Sequence, residues 1–251
     1  MSEFLELEGV SVQFGALKAV DDVSIRVKRG ERRAIIGPNG AGKTTLFNAI
    51  TGVTPSTAGK VLFDGRDVTR AAVHARAQLG MGRTFQITNL FPSLTVSENM
   101  RLAVRGLSAR KYSLFGSNAL DGAEAARVDS AIGLSRLQRR LDVLVKELSY
   151  GEQRQLEMAM TLASGPKLLL LDEPAAGLSP TERVIVSDII RSLPRDITMV
   201  LIEHDMELAL SAVDWVTCLN NGRLLTEASP TDIRTNVDVQ TVYLGKARAH
   251  A

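Results

Sequence analysis

Residues 37–44 read Gly37-Pro38-Asn39-Gly40-Ala41-Gly42-Lys43-Thr44. A triphosphate is dense with negative charge and must be held by many donors. This loop can turn its backbone N–H groups inward, because glycine tolerates positive φ. A helix starting near Lys43 aims the positive end of its dipole at the same place. The Lys43 ammonium can reach the outer phosphates. The hydroxyl of Thr44, next to Thr45, can ligate Mg²⁺. Far along the chain, Leu168–Leu171 run straight into Asp172 and Glu173. A carboxylate at the carboxyl edge of a parallel strand faces the ligand crevice of its sheet. Two adjacent acids there divide the work: Asp172 holds Mg²⁺ through water, and Glu173 polarises an attacking water.

Two further polar residues end apolar stretches. His204 follows Thr198–Ile202 and Glu203, within reach of a γ-phosphate; a lone histidine at such a place is equally a packing residue. Gln86 ends Gly80–Phe85 and, on its own, is any loop glutamine. Between the two halves of the phosphate site lies Leu148-Ser149-Tyr150-Gly151-Glu152-Gln153, ahead of a helix-like run. Its polar continuation, Glu152–Gln155, reads as the solvated first turn of that helix. His74 and His250 carry no partner pattern and read as surface residues.

The elements that position these groups follow from periodicity. Leu5, Leu7, Val10, Val12 and Phe14, then Val23, Ile25 and Val27, alternate as in half-buried strands. Arg33–Ile36 is a short apolar strand feeding the glycine loop, Lys43–Ile50 the helix after it, and Gly59–Phe63 a strand closed by Asp64-Gly65. Thr95 and Glu98 form a capping box, with Val96, Met100 and Ala103 on one helical face. A second helix is expected over Ala123–Ile132, and Leu156, Ala159, Met160 and Ala163 mark a third. Strands then alternate with helices, which implies parallel pairing with both faces covered. Asn221-Gly222 predicts a hairpin, and Ser229-Pro230 starts a short helix. The expected fold is α/β: a nucleotide-binding core of mostly parallel sheet at 1–89 and 166–228, with an N-terminal antiparallel β subdomain. An α-helical subdomain is inserted at 90–165, and a helical tail follows at 229–251.

Composition narrows the class. The chain has 251 residues, of which 45% are hydrophobic and 23% charged, as in a water-soluble globular domain. No apolar run approaches the roughly 18 residues that span a bilayer, and the start lacks the form of a secretion signal; a cytoplasmic protein is expected. A formal charge of +2 gives no footing for nucleic acid. Cys218, the only cysteine, excludes an internal disulfide.

Taken in order and spacing, these motifs resemble the nucleotide-binding subunits of ABC transporters over nearly the whole chain, from Phe14 to Tyr243-Leu244-Gly245. The resemblance implies ATP and Mg²⁺ as ligands and ATP hydrolysis as the activity. It matches Phe14 to the aromatic that stacks on adenine, residues 37–44 to Walker A, and Gln86 to the glutamine that senses Mg²⁺ and contacts the membrane subunits. Asp172 matches Walker B, Glu173 the catalytic glutamate and His204 the switch histidine. Residues 148–153 match the signature, in which Ser149 and Gly151 meet the γ-phosphate bound on an opposing cassette. A second ATPase subunit, identical or a sister chain, is thus implied, together with integral-membrane permease subunits and, indirectly, a periplasmic substrate-binding protein. Tyr150 stands where glycine is commoner, and Ser179 where many members have an aspartate that couples the two sites. Arg83-Thr84-Phe85-Gln86, residues 148–159 and Asp172–Leu178 are similar to the first ATPase of bacterial branched-chain amino acid importers. The resemblance places the chain on the inner face of the plasma membrane. Lipopolysaccharide-export and urea or amide transport ATPases share parts of the pattern, and soluble ABC mechanoenzymes are the more distant alternative.

Overall fold

The computed structural model describes residues 3–84, 90–107 and 121–244. Its elements run β1 (Glu3–Phe14), β2 (Leu17–Lys28), β3 (Arg32–Ile36), α1 (Lys43–Thr51), β4 (Ala58–Phe63), β5 (Arg66–Asp67), α2 (Val73–Gln78), β6 (Met81–Arg83), α3 (Val96–Leu107), α4 (Gly122–Leu134), α5 (Tyr150–Ala163), β7 (Leu168–Asp172), α6 (Pro180–Ser192), β8 (Thr198–Ile202), α7 (Met206–Ser211), β9 (Trp215–Asn220), β10 (Arg223–Ala228), α8 (Pro230–Thr235) and α9 (Val237–Leu244).

Among the described residues, the strands form two sheets. The antiparallel one has the order β2-β1-β4-β5. The other has the order β10-β9-β3-β8-β7-β6, parallel except for β10, which the hairpin at Asn221-Gly222 turns back on β9. That turn needs positive φ at both central residues, and Asn221 (49°) and Gly222 (78°) supply it.

Period-two alternation in the central strands divides two cores. In β7, Leu168 and Leu170 pack toward the antiparallel sheet with Phe4, Phe47 and Phe63, while Leu169 and Leu171 pack toward the helices with Leu156, Ala159 and Ile189. All four leucines are completely buried, and each contributes about 1.5–3 kcal/mol of burial. A strand apolar on both faces is what a buried parallel sheet requires.

The helices between β6 and β7 are capped as their sequences demand. Thr95 and Glu98 exchange hydrogen bonds at the start of α3: Thr95 N–H donates to Glu98 Oε2 at 2.7 Å and Glu98 N–H to Thr95 Oγ1 at 3.2 Å. Asp121–Glu124 and Ser149–Glu152 form the same box at α4 and α5. One expectation fails. Glu152 and Gln153 are half-buried, but Arg154 and Gln155 are buried, and Arg154 is ion-paired to Glu157 at 2.8 Å. Past the expected helix at Ser229, α9 carries the chain back toward the glycine loop. Gln86 and His250 lie outside the described residues, while His74 is exposed. Among the described residues no helix is long and apolar enough to cross a membrane.

Candidate active site

β3 delivers the chain to the glycine loop at the carboxyl edge of the parallel sheet, and α1 leaves it. The glycines are there for close approach. A Cβ on Gly37 would lie 2.2 Å from the Leu219 carbonyl oxygen, and one on Gly42 would lie 2.4 Å from that of Ala19. The β9–β10 turn braces the loop from outside, since Gly222 N–H donates to Ala41 O at 3.0 Å and Asp21 N–H to Gly222 O at 2.8 Å. From the other end of the chain, the Tyr243 hydroxyl accepts the Gly37 N–H at 2.7 Å. Burial pushes that phenol up to about 12.

Lys43 is 6% exposed. Its ammonium donates to the carbonyls of Gly37 (2.7 Å) and Pro38 (3.1 Å), so the cation is folded back over its own loop. Beside it opens a cleft of about 510 Å³ lined by residues 39–45, Glu173, His204 and Asn221, with Leu17–Ala19 at its far rim. Phe14, at the end of β1, is exposed and is not part of that lining.

Asp172 closes β7 and is 1% exposed. Its Oδ2 accepts from Arg83 at 2.9 Å, and the same guanidinium donates to Asn48 Oδ1 at 2.7 Å and Thr51 Oγ1 at 3.1 Å, tying β6 and α1 to the acid. Burial raises the Asp172 carboxyl above its ordinary range against the pull of Arg83. Its Oδ1 is buried without a hydrogen-bond partner. An orphaned, desolvated carboxylate oxygen is a hard donor, which suits Mg²⁺ rather than a softer ion. Among the described residues no cluster of His, Cys, Asp and Glu could hold a metal unaided. The set therefore fits an ion that arrives with phosphate oxygens.

Glu173 and His204 meet directly: His204 Nε2 lies 2.8 Å from Glu173 Oε1. Glu173 has φ 49°, the left-handed region, where a residue other than glycine costs on the order of 1–3 kcal/mol. Two bonds hold it there. Its N–H donates to Ile202 O at 2.9 Å, and two residues on, Ala175 N–H donates to Glu203 Oε1 at 3.0 Å. The other oxygen of Glu203 accepts from His204 N–H (2.9 Å) and Asp205 N–H (3.3 Å). Glu203 thus fastens the acid's loop to the histidine's loop. Its burial raises its carboxyl despite those three donors.

Ser149 caps α5 and Gly151 lies in its first turn; neither lines the cleft at residues 39–45. The structure thus brings Lys43, Thr44, Thr45, Glu173 and His204 to one cleft, with Asp172 buried behind. Ser149 and Gly151 stand apart on α5. Sequence reasoning missed Arg83, Glu203, Tyr243 and the braces at Ala19 and Gly222. Only the Asn-Gly pair carried a signal, and that signal announced a turn rather than a site.

A family model described as ABC transporter matches residues 20–176. The high-affinity branched-chain amino acid transport ATP-binding protein BraF of Pseudomonas aeruginosa is 38% identical over 253 residues, covering 97% of this chain and 98% of that protein. Its counterpart LivG of Escherichia coli is 37% identical over 255 residues, with the same coverage. Among solved structures, an ATP-binding cassette of an ABC transporter in its ADP conformation superposes with a TM-score of 0.83 at 28% identity, covering 98% of this chain and all (100%) of that one. A nucleotide-free cassette gives 0.80 at 28% identity, with 96% and 99% covered. Fold, cleft and kinship agree, and the chain belongs to the ABC transporter family as one of its ATP-hydrolysing cassettes.

Proposed function

We propose that this cassette drives a membrane importer of branched-chain amino acids, paired with a second cassette and seated on permease subunits at the inner face of the plasma membrane. The observation that carries the chemistry is the Glu173–His204 pair, 2.8 Å apart at the mouth of the cradle. The phosphates lie in the loop 37–45 and draw the Lys43 ammonium off its carbonyls. Adenine rests on Phe14, whose exposed ring is free to take it. Asp172, Thr44 and Gln86 would hold Mg²⁺, which when bound would neutralise charge on the outer phosphates. A water oxygen bonds to the γ-phosphorus as the bond to the bridging oxygen breaks. Glu173 takes the water's proton, and His204 keeps the carboxylate aimed and donates toward the departing phosphate. Positioning and charge supply most of the acceleration in such a transfer.

The cargo reading rests on near full-length similarity to relatives named for branched-chain amino acid transport. The permease reading draws support from an apolar groove of about 260 Å³ whose lining includes Val53, Val73, Thr84, Leu90 and Met160. In the sequence, Thr84 and Leu90 flank the segment 85–89 that contains Gln86. The test is uptake of labelled leucine by cells lacking this chain. Wild type restores uptake and Glu173→Gln does not. Unimpaired uptake in the deletion strain rejects the cargo.

A further inference from the structure

The carboxylate of Glu182 sits on the signature of its own subunit. Glu182 belongs to the first turn of α6, where Ser179 N–H (3.0 Å) and Ser179 Oγ (2.7 Å) donate to its Oε2. Its other oxygen, Oε1, reaches across to α5 and accepts from Gly151 N–H at 3.1 Å and Ser149 Oγ at 3.4 Å. One acid thus serves two helix N-termini, whose dipoles both favour negative charge. The hydrogen bonds of Ser179, first among several, hold this carboxyl below the usual range, so it is an anion at neutral pH. The fit is close: a Cβ on Gly151 would lie 2.4 Å from Oε1.

These are the two donors that a partner's γ-phosphate would need. A carboxylate and a phosphate cannot share one N–H and one hydroxyl without like-charge repulsion. We infer that Glu182 is an internal stand-in for the γ-phosphate, holding the signature donors in cis until the partner's nucleotide displaces it, and so sets the ATP concentration at which two cassettes close. The inference rests on the pairing with a second cassette proposed above, with each signature facing the nucleotide of its mate. It makes Glu182 a positioning residue that never touches its own subunit's nucleotide. It also gives Ser179 a role in place of the aspartate found in many relatives: its hydroxyl tethers the displaced acid.

The test uses the full chain carrying Glu173→Gln, with its mass followed by light scattering as Mg-ATP is raised. Adding Glu182→Gln keeps a neutral acceptor for the α6 cap and removes the charge. Half-maximal dimer then forms at about fivefold lower ATP, while calorimetric affinity of the monomer for ATP is unchanged. Glu182→Asp, one methylene shorter, withdraws from Gly151 and moves the midpoint the same way. An unchanged or higher ATP requirement in both variants overturns the inference and leaves the arrangement standing. A parent that stays monomeric at saturating ATP overturns both.

Discussion

Glu173 illustrates how the site is built from single residues. Its left-handed φ of 49° turns the carboxylate off the end of β7 toward His204, 2.8 Å away, and the neighbours impose that turn because the residue itself would not choose it. Replacing the acid by its amide preserves the shape and removes the base. Glu173→Gln should bind ATP with wild-type affinity by calorimetry and lose at least about 100-fold in phosphate release. Glu203 acts through others. Glu203→Ala leaves the N–H groups of Ala175, His204 and Asp205 without their acceptor, so chemical unfolding should show a loss of about 2 kcal/mol, with kcat reduced more than KM. The sign of its titration is also set. A carboxyl raised in the folded state adds stability that is complete below its unfolded pKa and is lost as pH rises through the folded value. The Glu203→Gln variant removes the titrating group, so its stability relative to wild type should improve as pH rises through that raised range, read as unfolding midpoints between acidic and neutral pH. A difference flat with pH would show that Glu203 does not titrate there.

At the scale of elements, the cradle is a loop held from three directions: β3 and α1 in sequence, the β9–β10 turn from beside, and α9 from behind. Gly42→Ala would drive a methyl into the Ala19 carbonyl at a backbone φ of 97°. Calorimetry should show ATP affinity lost, together with a lower unfolding midpoint; unchanged affinity would mean the loop is not the cradle. Tyr243→Phe deletes one hydroxyl more than 200 residues away in sequence from the glycine it serves. It should cost about 1–2 kcal/mol of stability and raise the KM for ATP. A variant indistinguishable from wild type would make α9 a bystander.

For the whole molecule, what could be read from the chain alone followed local rules. Alternation in Leu5–Val12, the Thr95–Glu98 box and the Asn221-Gly222 turn each name their element because the cause lies within a few residues. The glycine loop, Asp172 and Glu173 could be proposed from phosphate chemistry at strand ends, whereas His204 was ambiguous by position and took its expected role from the family resemblance. Arg83, Glu203, Glu182 and Tyr243 were not, because each acts across the fold on a partner that no spacing announces. The burial of Arg154 and Gln155 was likewise hidden, since a polar run on a helix reads as solvated until the neighbouring helices are in place. Residues 148–153 do not line the cleft at residues 39–45, and that separation is why the proposed function pairs this chain with a second cassette. The most direct measurement is a crystal structure of the Glu173→Gln protein with Mg-ATP. The account predicts a γ-phosphate bounded by residues 37–45 of one protomer and by Ser149 and Gly151 of its mate, with Glu182 swung away. A nucleotide touching one chain only, in a closed pair with Glu182 still on Gly151, would contradict it.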